Sequence, residues 1–171
     1  MSGAALPVSI RPEAPGDEAT IFALTRAAFA DMEFSDGDEQ HVVTRLRDAG
    51  DLTLSLVAED EARIVGHIAF SPVTISDGAQ DWFGLGPVSV LPQMHHRGVG
   101  SALIRRGIAD MRERGAKGIV LLGSNVYYPR FGFVHEPQLA FPGPPPEYFQ
   151  TLLLDGELPS GTVSYAPGFY P

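Results

Sequence analysis

Two glycines at the start of an apolar periodic segment are the feature of this sequence with the clearest chemical meaning. The segment reads HHRGVGSALI from His95 to Ile104, and Gly98 and Gly100 stand where its helical pattern begins. A glycine inside a helix costs about 1 kcal/mol relative to alanine. The first turn of a helix presents N–H groups without intrahelical partners, and its dipole favours negative charge. Glycines there let an anion such as a phosphate approach the bare backbone.

Side chains around the glycine pair can add to such an anion site. Arg97 can supply a charged fork and Ser101 a hydroxyl. Other phosphate motifs fit less well, because a P-loop requires a lysine after its last glycine and a dinucleotide fingerprint requires a third glycine where Leu103 stands. The glycine pair by itself leaves open a glycine-rich helix start that binds nothing.

Two adjacent tyrosines are the second candidate feature, in the run YYPRFGF from Tyr127 to Phe133. Gly132 can end a short helix there. Tyr128 is then predicted near the carboxyl ends of two parallel strands, where α/β sheets bind ligands. Packing in the core or at its rim is the alternative for both tyrosines. It is favoured for Tyr127, because neighbouring helical residues face different directions.

A mixed pattern of strands and helices positions these residues. Apolar spacing and turn residues predict strands over 8–11, 52–58, 64–70, 82–91 and 118–122, and helices over 17–29, from 36–39 to Gly50, and over 98–114. Two further strands, 148–154 and 162–165, are predicted around proline-rich loops. The order of elements predicts an α/β (α+β) fold with a mixed, mostly antiparallel central sheet and one parallel strand-helix-strand crossover.

The strand predicted over 82–91 contains Gly86 and Pro87. Proline removes a ladder hydrogen bond, and an adjacent glycine often marks a bulge. We therefore expect this strand to splay from its neighbour and to free backbone groups. The alternative is a strand that simply begins at Val88.

Composition excludes several classes of protein. The 171 residues contain no cysteine, which excludes disulfides, thiolate metal sites and cysteine nucleophiles and fits a cytoplasmic location. The net charge of −9 argues against general nucleic-acid binding. No apolar run approaches the length of a membrane span, and the segment MSGAALPVSIRPE lacks the pattern of a secretion signal. The five histidines are scattered, so no metal site is predicted.

The stretches LGPVSVLP, HHRGVGSALI and YYPRFGF together resemble the GNAT superfamily of acyl-CoA-dependent N-acetyltransferases, in particular a small bacterial single-domain branch. The similarity in element order extends from about Val8 to Phe133. The family signature is Gln or Arg, two residues, Gly, one residue, then Gly or Ala. Here His95 stands where Gln or Arg is usual, whereas Gly98 and Gly100 match.

The resemblance implies a role for each matching residue. The loop formed by His95, His96, Arg97, Gly98, Val99, Gly100 and Ser101 would wrap the pyrophosphate of acetyl-CoA. Val88 and Val90 would offer backbone groups to the pantetheine arm and the acyl carbonyl, and Tyr128 would act as general acid for the leaving thiolate. One domain over 1–171 is expected, with a coenzyme-binding core at about 52–134 and a proline-rich C-terminal part at 135–171.

The implied reaction is transfer of the acetyl group to a primary amine of a small molecule or peptide by direct attack. The alternative is a catalytically weak acyl-CoA-binding or sensor protein of the same fold. An ordinary tyrosine has a pKa of about 10 and a thiol about 8.5, so Tyr128 would donate a strong hydrogen bond or have a lowered pKa. None of the matching motifs implies a residue that acts as general base. The resemblance leaves open whether the protein forms a homodimer.

The stretch DMEFSDGDE, residues 31–39, carries five acids and no basic residue. In the family the loop between the first two helices lines the acceptor side, so this acidity could attract a cationic amine. The alternative, a solvated loop with acids at a helix start, is favoured.

Overall fold

The computed structural model describes residues 8–171. The stretch MSGAALPVSIRPE, for which no secretion signal is predicted, includes residues 1–7, and these lie outside the described residues. The helices are α1 (Glu18–Phe29), α2 (Glu39–Asp48) and α3 (Val99–Glu113). The strands are β1 (Ser9–Pro12), β2 (Leu54–Asp60), β3 (Arg63–Pro72), β4 (Thr74–Ile75), β5 (Trp82–Val90), β6 (Gly118–Leu122), β7 (Leu139–Ala140), β8 (Phe149–Leu153) and β9 (Gly161–Ser164).

The central sheet has six strands in the order β1-β2-β3-β5-β6-β8. Every neighbouring pair is antiparallel except β5 and β6, which are parallel and joined by α3. The predicted fold class and its crossover are confirmed. A second sheet, β4-β9-β7, was not predicted and contains another parallel pair, β7 with β9. Its strand β9 corresponds to the strand predicted over 162–165, whereas β4 and β7 have two residues each and are too short to show alternation.

Helices cover the central sheet on both faces. Leu56 and Phe70 of the sheet pack in one cluster with Leu103 of α3, whereas Val57 packs with Leu24 of α1 on the other face. The opposite burial of Leu56 and Val57 follows from the period-2 alternation of a strand. Among residues 8–171 no helix is long and apolar enough to cross a membrane.

Strand β5 contains the predicted irregularity. Ile68 lies opposite Val88 and Phe70 lies opposite Leu85, so the single residue between them on β3 faces the pair Gly86–Pro87. This is a β-bulge. The alternative of a strand beginning at Val88 is wrong, because β5 begins at Trp82.

The splay of β5 from β6 is also confirmed. The two strands pair only at their first residues, from Trp82 opposite Gly118 to Gly84 opposite Val120. Beyond Gly84 they separate, and no strand among residues 8–171 covers the edge that the last part of β5 has inside the sheet. This edge lies next to the beginning of α3 and is the frame of the candidate active site.

Candidate active site

In the part of the chain that the structure describes, no side chain caps the start of helix α3. Its N-cap is Gly98, in a left-handed conformation with φ 81°, and His96 also has a positive φ of 65°. The first intrahelical bond runs from the Ala102 N–H to the Gly98 carbonyl at 3.0 Å. The N–H groups of Val99, Gly100 and the residue that follows therefore have no intrahelical acceptor. The helix start that the sequence predicts is confirmed, with bare amides at its mouth.

The space beside Gly100 connects this helix start to the splayed strand. A Cβ atom built on Gly100 would lie 3.7 Å from Val90 Cγ2 and 3.9 Å from the hydroxyl of Tyr127. Ser101 Oγ and Tyr127 Oη are 2.9 Å apart and form a hydrogen bond. The Ser101 hydroxyl, which the sequence predicts to face an anion, therefore forms a hydrogen bond with Tyr127. Packing in the core or at its rim was the interpretation favoured for Tyr127.

The three arginines near the glycine pair differ in the contacts of their side chains. Arg105 lies over the ring of Phe131 at 4.9 Å, and Arg106 forms an ion pair with Asp110 at 3.2 Å. Within residues 8–171 the exposed Arg97 has neither a side-chain hydrogen bond nor an ion pair. Of the three, Arg97 is therefore the one whose guanidinium contacts neither a carboxylate nor an aromatic ring among residues 8–171.

Arg130 is a further cation at this site that sequence reasoning missed. Its guanidinium lies 4.4 Å from the centre of the Tyr127 ring, and its Nε donates to the Tyr127 carbonyl at 2.8 Å. Tyr127 and Arg130 are three residues apart in a tight helical turn that ends at Gly132 with φ 100°, as predicted. The spacing i,i+3 was the signal that could have linked them.

Val88 and Val90 direct backbone groups into the splay. The Leu91 N–H donates to the Val65 carbonyl at 2.9 Å, and antiparallel pairs alternate between hydrogen-bonded and open. Ser89 opposite His67 is therefore a bonded pair, and the N–H and C=O groups of Val88 and Val90 face away from β3. Consistently, the Val90 carbonyl lies 3.0 Å from His95 Nε2. His95 thus contacts the strand edge through its side chain.

Tyr128 packs between the end of β6 and the core. Its ring lies edge-to-face on Phe133, with centroids 6.1 Å apart, and against the backbone of Gly123. Burial, with a smaller contribution from Tyr127, raises the pKa of Tyr128 to about 12. Of the two alternatives given for Tyr128, a strong hydrogen bond or a lowered pKa, the lowered pKa is contradicted by this burial. Full proton transfer to a thiolate would be uphill by roughly 5 kcal/mol, so a neutral hydrogen-bond donor is the chemistry Tyr128 offers.

The acidic stretch between α1 and α2 is partly explained by local structure. Asp38 forms an ion pair with Arg45 at the start of α2, and this contact keeps the pKa of Asp38 below its ordinary value. Glu39 accepts a hydrogen bond from Ser35 at 2.7 Å, and Asp36 accepts one from the Asp38 N–H at 3.0 Å. The interpretation as helix-start acids therefore accounts for these three. Over residues 8–171 no cluster of three or more His, Asp or Glu side chains could hold a metal ion.

A buried polar chain on the other side of the sheet was missed by sequence reasoning. His67 is fully buried, and its Nε2 lies 2.8 Å from Ser55 Oγ, which donates to Glu13 at 2.6 Å. Burial lowers the pKa of His67 to about 4. Burial alone would raise the pKa of Glu13, but hydrogen bonds from Arg47 and Ser55 outweigh it and lower that pKa.

The pKa of His67 predicts a loss of stability in mild acid. Between pH 6.5 and 4 the unfolded imidazole binds a proton that the folded one does not, so the free energy of unfolding falls as the pH falls through this window. The full difference is roughly 3 kcal/mol. Thermal unfolding should show it between pH 6.5 and 5, before carboxylates titrate. A His67→Gln variant should have a flatter profile there, and equal slopes for both proteins would contradict the assignment.

Comparison with known proteins identifies the family. The sequence model of the acetyltransferase (GNAT) domain matches residues 9–135. The uncharacterized N-acetyltransferase YhbS of Escherichia coli strain K12 is 35% identical over 167 residues, which cover 94% of this chain and 97% of that relative.

Solved structures agree. A GNAT family acetyltransferase from Brucella melitensis, in complex with acetyl-CoA, is 46% identical with a TM-score of 0.85, and the match covers 95% of this chain and 97% of that one. YhbS from Escherichia coli, in complex with CoA, has a TM-score of 0.88 at 31% identity, covering 100% and 96%. The open helix start, the splayed strand pair and these matches together show that the chain belongs to the GNAT family and is an acyltransferase.

Proposed function

We propose that this protein transfers the acetyl group of acetyl-CoA to a primary amine of a small molecule or peptide. The observation that carries the proposal is the uncapped start of α3, whose free N–H groups adjoin the uncovered edge of β5. The relatives from Brucella melitensis and Escherichia coli, crystallised with acetyl-CoA and CoA, support it. Residues 52–134 are proposed as the coenzyme-binding core of one domain, and a chain without cysteine suits work in the cytoplasm.

Each part of the coenzyme has a proposed partner in this chain. The N–H groups at Val99 and Gly100 bind the pyrophosphate, because helix N-termini favour anions. Arg97 adds an exposed positive charge. The free N–H and C=O groups of Val88 and the free N–H of Val90 bind the amides of the pantetheine arm and orient the acyl carbonyl, as a neighbouring strand would bind them.

The reaction proceeds by direct attack of the amine on the thioester carbonyl. Negative charge develops on the carbonyl oxygen, and a backbone N–H in the splay stabilises it. Tyr128 donates a hydrogen bond to the departing sulfur and stays neutral, because its pKa lies near 12. No covalent intermediate on the protein is needed.

The test combines binding and turnover. Calorimetry should detect acetyl-CoA binding. The release of free thiol should depend on which amine is added from a panel of small amines and peptides with a free amino group. Binding without thiol release in any amine would favour the catalytically weak acyl-CoA-binding protein instead. Absence of binding would overturn both interpretations.

Arg97→Ala is expected to weaken acetyl-CoA binding by about 3- to 30-fold and to flatten its salt dependence, since an exposed charge acts through a screened field. Calorimetry at low and high ionic strength measures both effects. Arg106→Ala is the matched control, because Arg106 is on α3 but paired with Asp110. Equal affinity and equal salt dependence of the Arg97→Ala variant and the unaltered protein would show that backbone groups alone bind the phosphates.

A further inference from the structure

A chain of polar side chains crosses the central sheet beside the splayed strand. Glu13 follows β1, Ser55 is on β2 and His67 is on β3, and they are linked by hydrogen bonds of 2.6 Å and 2.8 Å. Arg47 of α2 fixes the Glu13 carboxylate with two hydrogen bonds of 2.8 Å and 2.9 Å. The mechanism proposed above uses none of these groups, and it lacks a path for the amine proton.

The direction of these hydrogen bonds is determined by the Glu13 carboxylate. An ionised carboxylate only accepts, so the single hydroxyl proton of Ser55 points to Glu13. Ser55 Oγ must then accept a hydrogen bond from Nε2–H of His67. The other ring nitrogen, Nδ1, is left with a lone pair and can receive a proton.

The inner end of the chain lies beside the splay. His67 pairs with Ser89 of β5, and paired residues point to the same face of a sheet. Ser89 lies between Val88 and Val90, whose backbone groups border the proposed thioester site. Nδ1 of His67 and Oγ of Ser89 are buried, and neither has a hydrogen-bond partner among residues 8–171. A polar group or a bridging water between them would satisfy both atoms.

The outer end of the chain reaches a cavity. Glu13 and Ser55 line a cleft of about 310 Å³ that opens to solvent and is bordered by Arg47 and Arg114. A proton delivered to Glu13 can therefore leave to bulk water. The charged groups that bear on His67 are Glu13, which follows β1, and Arg47 of α2.

We propose that Ser89, His67, Ser55 and Glu13 form a proton relay that carries a proton from the acceptor amine to solvent. The proposal rests on the proposed acetyl transfer. A protonated primary amine loses two protons when it becomes an amide; one completes the free thiol of CoA, and the other must leave the site. The relay supplies the route for the second proton, which none of the matching motifs provides.

The transfer is balanced at every atom. An N–H bond of the amine breaks and Ser89 Oγ takes up that proton, while the hydroxyl proton of Ser89 passes through a bridging water to Nδ1 of His67. The Nε2 proton moves to Ser55 Oγ, the Ser55 proton moves to Glu13, and Glu13 releases a proton to the cavity. The imidazole changes tautomer and stays neutral, which suits a fully buried ring. Proton exchange with water at the two ends restores the starting tautomer after product release.

Ser55→Ala and Glu13→Gln interrupt the relay at different links. With acetyl-CoA and the most active amine of the panel, each should lower kcat at pH 7 by about 10- to 100-fold, within the lower range for proton-transfer groups. The loss should shrink toward pH 9, where more of the amine arrives already deprotonated, and acetyl-CoA affinity should not change. Ser71→Ala is the matched control. Ser71 is also on β3 and has a buried hydroxyl without a partner among the described residues, but it lies opposite Gly84, where β5 and β6 are still paired.

The outcomes separate the relay from the proposed function. Unchanged kcat in both relay variants, with intact acetyl-CoA binding, overturns the relay alone. Absence of thiol release from the unaltered protein with every amine overturns the proposed function and the relay with it. Nitrogen-15 NMR of the histidine rings gives a readout that does not need turnover or a variant that folds: His67 should carry its proton on Nε2 at pH 7, and a proton on Nδ1 would overturn the relay.

Discussion

Replacing Tyr128 by phenylalanine is expected to lower kcat by roughly 10²- to 10³-fold while changing acetyl-CoA affinity by less than about threefold. The range is that for removal of one positioned donor to a developing charge. The hydroxyl matters only when charge develops on the sulfur, so its loss affects the transition state and not the bound ground state. The ring remains, and its packing on Phe133 keeps the local structure. Steady-state thiol release and calorimetry measure the two quantities separately.

Tyr127→Phe is the matched control for this prediction, because the two rings are adjacent. Tyr127 loses a hydrogen bond to Ser101 at the mouth of α3, so its variant should weaken coenzyme binding by a few-fold and leave kcat largely intact. If Tyr127→Phe lowers kcat and Tyr128→Phe is silent, the donor to the sulfur is Tyr127. If both are silent, backbone donors or water alone assist departure of the thiolate.

Gly100→Val should weaken acetyl-CoA binding by about 100-fold or more without unfolding the protein. A Cβ at this position meets Val90 and Tyr127 only at ordinary van der Waals distances of 3.7 and 3.9 Å, so a Cβ atom itself meets no clash. The added methyl groups would occupy the approach to the bare N–H groups, which a phosphate needs at hydrogen-bond distance. Calorimetry measures the affinity, and thermal unfolding measures the stability.

Gly100→Ala sharpens this test, because its two effects have opposite signs. Alanine should stabilise α3 by up to about 1 kcal/mol and still weaken coenzyme binding. An alanine variant with unchanged affinity would contradict the phosphate assignment. Gly98→Ala is a poorer probe than the sequence indicates, because Gly98 has φ 81° and a side chain there strains the backbone by about 1–2 kcal/mol. Its loss of affinity would be mixed with a loss of stability.

Most of the framework could be predicted from the sequence because its signals are local. The bulge at Gly86–Pro87, the helix that starts at the glycine pair and the apolar strand 118–122 each depend on a few adjacent residues. The same is true of the helical turn that Gly132 ends. Backbone groups that are left free at the bulge and at the start of α3 could therefore be located from the sequence.

Contacts between distant residues could not be predicted in this way. Glu13, Ser55 and His67 are 42 and 12 positions apart along the chain, and only the register of β1, β2 and β3 brings them together. The Ser101–Tyr127 hydrogen bond likewise depends on how α3 packs against the turn after β6. The raised pKa of Tyr128 comes from burial, which neighbouring residues in the sequence do not reveal.

The separation of β5 from β6 also bears on which molecules can pair with the uncovered edge of β5. An uncovered strand edge is usually a template on which a second chain can add and aggregate. Here the edge at Val88 and Val90 lies inside a wedge between two strands of one sheet, which narrows toward Gly84 and Val120. A whole polypeptide strand from another molecule has to enter that wedge from its open end, whereas a thin ligand with amide groups can lie along it. The gap between β5 and β6 thus limits which molecules can pair with the free edge of β5.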